Sequence, residues 1–183
     1  LRYPARHCCR LVRAETRIRA AGREATAIVR IEAAVGMIKF YKVSQDQYFK
    51  DRLEALLQAG FDTEGAKRTA QEEYESIELP RRGTMYSAGY DLRTPAEYVL
   101  QPGQSLVIPT GLRIQMEEDM WMGIYIRSSL GFKYNVRLKN SVAVIDADYF
   151  GADNEGHLKV GIYNGGDREL VLHAGDAFAQ GIL

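Results

Sequence analysis

The chain has 183 residues, a length that suits a single domain with a sizeable core. Its formal net charge is zero and its pI is about 7.0, which is atypical of a nucleic-acid-binding protein. No apolar run of the sequence approaches the roughly 18 residues of a membrane span. We therefore expect neither nucleic acid nor a membrane as a partner.

The first 36 residues differ in composition from the rest of the chain. They contain eight Arg, eight Ala, three acidic residues and no Lys, whereas the following residues carry an excess of acids. We expect residues 1–36 to be a non-core N-terminal extension of upstream, vector-derived or leader sequence, and Met37 to open one domain over residues 37–183. An organelle transit peptide is a further alternative, although the segment lacks Ser.

Cys8 and Cys9, beside His7, are the only cysteines of the chain. Three adjacent candidate ligands fall short of the four that a tetrahedral zinc site uses, so we expect no metal there. Because no cysteine follows residue 9, no disulfide framework supports the body. This favours a reducing compartment and hence a cytoplasmic location.

Residues 44–77 are predicted to form two helices. Ser44 to Gln47 has the pattern of a capping box, apolar residues follow at helical spacing, and Gly60 ends the run. Asp62 or Thr63 can cap the second helix. We interpret the apolar stripes as core or docking faces without chemistry.

From residue 79 onward the apolar residues alternate with period two. Turn signals such as Pro102-Gly103 separate short apolar runs, which predicts an all-β sandwich or barrel that carries the helices as an insertion. The runs cover residues 98–100, 105–108, 112–116, 121–126, 141–145, 158–163, 170–173 and 177–183.

The segment from Asn140 to Gly151 is the most informative of these. Its β-branched run predicts a buried strand that delivers Asp146, Asp148 and Tyr149 at its end. Acids two positions apart on extended chain share a face. Two carboxylates beside a buried run are costly as packing but suit a site that handles water or metal. A strand end that passes into a polar turn is the alternative.

Three further segments carry unusual chemistry. Small residues surround Asp91, which allows a close approach of the backbone or, alternatively, a tight strand bend. Arg127, Ser128 and Ser129 follow a strand as a positively charged turn, with a guanidinium fork and hydroxyls suited to phosphate oxygens. Gln180 follows an apolar step and is weak evidence by itself.

Taken together, in this order and at these spacings, the four segments resemble the motifs of the trimeric dUTP pyrophosphatases (dUTPases). The resemblance covers roughly residues 79–183. It implies a mainly β fold, a jelly-roll or β-clip barrel with the N-terminal helical insertion at about residues 44–77. It also implies hydrolysis of dUTP to dUMP and pyrophosphate with Mg²⁺, in a homotrimer whose subunits share active sites. The motifs resemble residues 88–92, 127–131, 140–151 and 175–180.

The resemblance also implies roles for individual residues. The Asp146 carboxylate would align the water that attacks the α-phosphorus of dUTP. Asp91 would hold Mg²⁺ indirectly, through its water shell. Tyr149 would pack against the deoxyribose and exclude a 2′-hydroxyl. Substrate phosphates would be contacted by Arg127, Ser128, Ser129 and Gln180.

The same resemblance predicts the base-binding segment. Residues 134–143 match a hairpin that holds uracil largely through backbone groups, with Asn140 near its end and Val144 just beyond as substrate-binding residues. Backbone donors and acceptors have fixed polarity, so cytosine would leave buried groups unpaired.

The chain departs from the family pattern at several positions. Ala143 stands where Gly is usual, and Ala177 stands where Arg is common. The family's fifth motif, a glycine-rich C-terminal arm, does not appear before Leu183. We expect the sequence to be a fragment in this respect.

Three alternatives have different chemistry. A dCTP deaminase shares the Arg-Ser-Ser-Leu motif but needs a glutamate where this chain has Gly161 and a second Arg where it has Phe132. A non-catalytic nucleotide-sensing or interaction module would keep the pocket without turnover. A trimeric jelly-roll scaffold, such as a lectin or coat domain, leaves the four polar motifs unexplained.

Overall fold

The computed structural model describes residues 38–183 and, before them, the backbone of strands β1 (Ala14–Ala20) and β2 (Arg23–Val29). The two strands pair in antiparallel fashion. The chain divides into two compact units, Leu1–Gly36 and Met37–Leu183. His7, Cys8 and Cys9 lie outside the described residues, and the origin of residues 1–36 remains a prediction.

The second unit begins with a short strand and two helices, and continues as a series of strands. The first part contains β3 (Lys39–Lys42), α1 (Gln45–Gln58) and α2 (Thr63–Ser76). The strands that follow are β4 (Arg81–Arg82), β5 (Gly89–Arg93), β6 (Tyr98–Leu100), β7 (Ser105–Pro109), β8 (Leu112–Gln115) and β9 (Trp121–Ile126). Then come α3 (Ser128–Tyr134), β10 (Val136–Leu138), β11 (Ala143–Asp146), a 3₁₀ turn (Ala147–Gly151), β12 (Lys159–Asn164), β13 (Leu170–Leu172) and β14 (Ala177–Ile182).

The strands of this unit form antiparallel sheets. The largest has the order β11-β9-β14-β5-β4, and a three-stranded sheet has the order β10-β12-β7. The pairs β13-β6 and β3-β8 complete the set. The prediction of a mainly β domain with an N-terminal helical insertion is therefore confirmed. The described strands do not close into one barrel, because the ladders are divided among separate sheets.

The core lies between the inward faces of these sheets. Period-two alternation places Met122 and Ile124 of β9, and Ile162 of β12, at 1% exposure or less. Tyr48 of α1 is also fully buried, so the helical insertion contributes to the same core. The other large, fully buried apolar side chains are Leu92, Ile108, Leu112, Ile114, Leu158, Leu170 and Phe178.

The start of α1 only half matches the predicted capping box. Ser44 Oγ accepts the Gln47 N–H at 3.1 Å, as expected for an N-cap. The Gln47 side chain does not return the bond, and its Nε2 donates to Asp51 at 2.6 Å. The Ser44 N–H instead donates to Glu155 at 2.7 Å. A residue distant in sequence thus replaces the local partner.

A buried polar network joins the two helices. Arg52 of α1 donates through Nε and Nη2 to the two carboxylate oxygens of Glu73 on α2, both at 2.7 Å. The Tyr48 hydroxyl donates to the same carboxylate at 2.9 Å. The Arg52 guanidinium also lies 5.5 Å from the ring centroid of Tyr98, on β6. The network therefore fixes the helices to each other and to the β domain.

The run of residues 141–145 is not a buried strand, and this prediction was wrong. β11 is an edge strand of the five-stranded sheet, and Val144 is 57% exposed. Its β-branched residues favour extended backbone, but burial depends on what covers each face. Asp148 lies in the 3₁₀ turn, so the period-two relation to Asp146 does not hold there.

No helix in the described part of the chain is long and apolar enough to cross a bilayer.

Candidate functional site

The outward face of the five-stranded sheet gathers the predicted site residues. In the ladders Asp146 pairs with Trp121, and Gln180 pairs with both Tyr125 and Asp91. Directly paired residues project to the same face of a sheet. The opposite face carries the buried core residues of the same strands, including Met122. Asp146, Gln180 and Asp91 thus share one side of one sheet, although they come from three separate motifs.

Four predicted residues line a single pocket of about 340 Å³, which we call the Arg127 pocket. It brings together side chains from β5, the end of β9, the start of α3 and β14. The lining residues are Gly83, Thr84, Ser87, Gly89, Asp91, Arg127, Ser128 and Gln180. The predicted phosphate and metal positions are therefore adjacent in the fold.

Arg127 and Asp91 are joined by an ion pair within this pocket. Arg127 Nη1 donates to the Asp91 carboxylate, and the Arg127 side chain remains 38% exposed. The Arg127 backbone N–H donates to the Phe178 carbonyl at 3.1 Å, which ties the residue to β14. A guanidinium has five N–H donors, so the Asp91 contact leaves several for another anion.

The structure explains why one of the small residues near Asp91 is a glycine. A Cβ atom at Gly89 would lie 2.8 Å from Gln180 Oε1, closer than van der Waals contact permits. Gly89 therefore lets the Gln180 side chain lie across β5 beside Asp91. This contact supports the expected close approach at this segment. The group that approaches the Gly89 backbone is the side chain of Gln180, in the fourth motif.

The segment after β9 is a helix, whereas the sequence predicted a turn. Leu130 and Gly131 both donate backbone N–H groups to the Arg127 carbonyl, at 3.0 and 3.2 Å. Ser128 and Ser129 are exposed in the first turn of α3, where backbone N–H groups lack intrahelical acceptors. Ser128 lines the Arg127 pocket and Ser129 follows it directly. Hydroxyl and amide donors are thus presented beside the guanidinium.

Asp146 lines a different and larger cavity of about 910 Å³, which we call the Asp146 cleft. Four carboxylates and several apolar side chains surround it. Its lining residues are Met116, Glu118, Asp119, Met120, Trp121, Val144, Asp146, Ala147 and Asp148. Trp121 is 52% exposed and was not predicted. Its position in the period-two pattern, on the same face as Gly123 and Tyr125, is the signal that could have identified it.

The sheet register sets the distance between the Asp146 cleft and the Arg127 pocket. Asp146 stands level with Trp121, whereas Asp91 and Gln180 stand level with Tyr125, four residues further along β9. β5 is also three strands away from β11. With ~3.3 Å per residue and ~4.8 Å per strand, Asp146 and Asp91 of one chain are about 20 Å apart. A single chain therefore does not bring them to one phosphate group.

The loop that follows Tyr149 holds its hydroxyl through two hydrogen bonds. Its hydroxyl donates to the His157 carbonyl at 3.2 Å and accepts from Asn154 Nδ2 at 2.8 Å. The residue is partly buried and packs against the core. Neither Asn154 nor His157 was predicted as a functional residue from the sequence.

The predicted uracil hairpin lacks a ladder between its two strands, and its role in base binding remains a prediction. β10 pairs with β12 and β11 pairs with β9, so residues 139–142 connect two different sheets. Asn140 is exposed in this turn, and its carbonyl accepts the Val142 N–H at 2.7 Å. Ser141 has a positive φ of 63°. Long-range strand pairing therefore takes precedence over pairing of the two neighbours in sequence.

The structure offers no acid for the deaminase alternative at the position that it needs. A Cβ atom at Gly161 would lie 3.2 Å from Lys139 Cδ, so the lysine stem covers this point of β12. Phe132, where a second Arg would be required, is 91% exposed on α3. Deamination requires a positioned proton donor and acceptor, which neither residue provides.

A metal held by protein ligands alone does not fit the described residues. Among them, no group of three or more His, Cys, Asp or Glu side chains is close enough to hold an ion. Asp91 contributes one carboxylate, already paired with Arg127. This donor set suits Mg²⁺ that keeps most of its waters and arrives with substrate phosphates.

Comparison with known proteins agrees with the motifs. The family profile described as dUTPase matches residues 75–183. The deoxyuridine 5′-triphosphate nucleotidohydrolase of Lactococcus lactis is 40% identical over 108 residues, which span 58% of this chain and 72% of that protein. Its counterpart in Shewanella pealeana is 39% identical over 105 residues, which span 56% of this chain and 66% of that protein.

A solved structure shows the same fold. The crystal structure of the dUTPase from Streptococcus mutans superposes with a TM-score of 0.54 at 37% identity, over 59% of this chain and 84% of that one. The family match begins only at residue 75, so α1 and most of α2 precede it. The profile covers more than half of the chain and includes all four motifs. The chain belongs to the dUTPase family.

Proposed function

We propose that the protein hydrolyses dUTP to dUMP and pyrophosphate, which removes dUTP from the nucleotide pool and supplies dUMP for thymidylate synthesis. The observation that carries this proposal is the Arg127 pocket. Residues of three motifs meet there and supply hydrogen-bond donors suited to a polyphosphate. The names of the relatives in Lactococcus and Shewanella support the same substrate. On the cysteine content of the body, we place the activity in the cytoplasm.

The proposed role of Asp146 follows from its position and its chemistry. It stands exposed at the end of β11, where a carboxylate can accept a proton from water and direct the oxygen toward the α-phosphorus. The bond between the α-phosphorus and the oxygen bridging to the β-phosphorus then breaks. Pyrophosphate leaves with that oxygen, and the water oxygen remains on dUMP.

The Arg127 pocket would hold the phosphates during this step. Arg127, Ser128, Ser129 and Gln180 supply the donors, and Asp91 would contact the water shell of Mg²⁺. The ion would neutralise charge on the triphosphate and on the departing pyrophosphate. These residues bind and orient, whereas Asp146 alone handles the proton.

We infer that the active site is shared between copies of the chain in a homotrimer. The separation of about 20 Å between Asp146 and Asp91 within one chain supports this, since one nucleotide has to reach both. β11 is an edge strand that carries the exposed Val144, and the exposed Trp121 lies on the neighbouring strand β9. Covering such an edge with another copy removes unpaired backbone and exposed apolar area. A symmetric trimer would then carry three equivalent sites.

Substrate selectivity tests the proposed function. With Mg²⁺, dUTP should release pyrophosphate, whereas UTP, dCTP and dTTP should not, because Tyr149 excludes the 2′-hydroxyl and the base-binding backbone rejects cytosine and thymine. Pyrophosphate and ammonia would both be measured. Turnover of UTP at the rate of dUTP, or ammonia from dCTP, contradicts the proposal.

A further inference from the structure

The loop after the 3₁₀ turn folds back onto Tyr149. Asn154 Nδ2 donates to the Tyr149 hydroxyl, while Asn154 Oδ1 accepts the Gly156 N–H at 3.2 Å. Gly156 has φ +69°, and a Cβ atom there would lie 2.6 Å from the Tyr149 carbonyl oxygen. The Ala152 N–H donates to that same oxygen at 3.1 Å. The position of Tyr149 therefore depends on the conformation of residues 152–157, which we call the support loop.

Glu155 connects the support loop to the helical insertion. Its two carboxylate oxygens accept the N–H and the hydroxyl of Ser44, at 2.7 and 2.6 Å. Ser44 is the N-cap of α1, so one residue both starts the helix and holds the loop. Glu155 itself has a left-handed backbone with φ 58°, a conformation that costs free energy unless its surroundings hold it.

His157 forms a second connection between the same two elements. Its Nε2 accepts the Gly111 N–H at 2.8 Å, so Nδ1 of the neutral ring carries the proton and donates to Asp51 of α1 at 2.6 Å. His157 is fully buried, and Asp51 also accepts from Lys159 at 3.0 Å. Because the His157 carbonyl accepts the Tyr149 hydroxyl, this contact lies one step from Tyr149.

Arg113 supports the loop from β8. Its Nη2 donates to the Phe150 carbonyl at 2.5 Å, and its guanidinium lies 3.7 Å from the Phe150 ring centroid. Its Nη1 is 3.9 Å from Glu155. The loop thus has a support within the family domain, and the contacts from Ser44 and Asp51 are additional to it.

We propose that α1 is a brace that fixes the support loop, and that Glu155, through Ser44, and His157, through Asp51, are positioning residues for Tyr149 and the adjoining Asp146. The proposal rests on the proposed function. It gives the helical insertion, which precedes the family match, a role in substrate selectivity. Neither positioning residue contacts the substrate. Each acts through the hydrogen bonds to the Tyr149 carbonyl and hydroxyl, which fix the position of the Tyr149 ring.

Hydrogen exchange of the full chain tests the brace without any substrate. Glu155→Ala and Ser44→Ala should speed exchange at the amides of residues 149–157, because the loop loses one of its two connections to α1. Ser44→Thr keeps the hydroxyl and should exchange like the wild type. The matched control is Asp62→Ala, which removes the N-cap of α2, whose carboxylate accepts the Gly65 N–H at 2.7 Å, and leaves the loop contacts intact. Unchanged exchange in Glu155→Ala overturns the inference.

Kinetics of the same variants tests positioning. Glu155→Ala and Ser44→Ala should lower kcat for dUTP by about ten-fold to a hundred-fold and raise the relative turnover of UTP, since a displaced Tyr149 no longer excludes the 2′-hydroxyl. Asp62→Ala, equally a lost helix cap, should keep both kcat and selectivity. Faster loop exchange with unchanged kcat and selectivity would overturn the positioning role. An inactive wild type would instead refute the proposed function, and the exchange result would still decide the brace.

Discussion

A mixture of two variants with impaired hydrolysis provides a quantitative test of the shared site. Asp146→Asn removes the proton acceptor in the Asp146 cleft, and Arg127→Ala removes the guanidinium from the Arg127 pocket. Within one chain these positions lie about 20 Å apart, because one strand spacing and six residues along β9 separate them. Each site of an assembly should therefore take them from different copies.

The expected recovery follows from random assembly. In an equal mixture, the chain that supplies Asp146 is intact at that position in about half of the sites, and the same holds for the chain that supplies Arg127. About a quarter of all sites should then contain both native residues. In the mixed trimers, which alone carry both tags, about one site in three should contain both, and their dUTP hydrolysis should return to about a third of the wild-type rate. The two variants would be coexpressed with different affinity tags, purified through both tags, and assayed for pyrophosphate release.

The matched control uses two residues of the same pocket. Arg127 and Asp91 form an ion pair within one chain, so a mixture of Arg127→Ala and Asp91→Ala should leave every site with one defect and recover no activity. Absence of recovery in the Asp146→Asn and Arg127→Ala mixture, with mixed assemblies shown by both tags, would refute the shared site. Recovery in the control mixture would refute a pocket built by one chain.

Three other predictions concern catalysis, stability and pH. Asp146→Asn should bind a non-hydrolysable dUTP analogue nearly as well as the wild type in calorimetry while losing most turnover, whereas Arg127→Ala should bind it more weakly. Arg52→Met should lower the free energy of unfolding by about 3–5 kcal/mol, because it leaves the Glu73 carboxylate buried without its cation. Arg52→Met with Glu73→Gln, which keeps an acceptor for the Tyr48 hydroxyl, should recover part of that loss in urea titrations. Burial lowers the pKa of His157 below its usual 6.5, so the unfolded state takes up a proton first and stability should fall as the pH drops through about 6.5.

Each of these predictions has an outcome that contradicts it. Equal loss of affinity in Asp146→Asn and Arg127→Ala would remove the distinction between chemistry and binding. A double variant at Arg52 and Glu73 that is no more stable than the single variant would show that the ion pair is not the source of the loss. For the pH prediction, urea midpoints at pH 7.5 and 5.5 would be compared with those of His157→Gln. A wild type with no greater pH dependence than this variant would refute the role of His157.

The sequence by itself determined the elements and the chemistry of the motifs. Each of the eight period-two runs overlaps a strand, and β9 matches its predicted residues 121–126, whereas β4, β5 and β10 correspond to no predicted run. The helices at residues 44–77 were also correct, with Ser44 and Asp62 as caps. Such features are local: side-chain alternation, caps and turns depend on residues within a few positions of one another.

The tertiary structure alone decided burial, pairing and neighbourhood. The sequence predicts that Val144 is buried, but it is exposed on an edge strand. β10 and β11 belong to different sheets, although only a short turn separates them in sequence. Gln180 lies beside Asp91 because their strands are neighbours in the sheet. Glu155 binds Ser44 although 111 positions of sequence separate them. No local pattern encodes such contacts, because they depend on which strands and loops meet after the chain folds. The four motifs therefore revealed the chemistry of the site, while the fold set Asp146 apart from the Arg127 pocket.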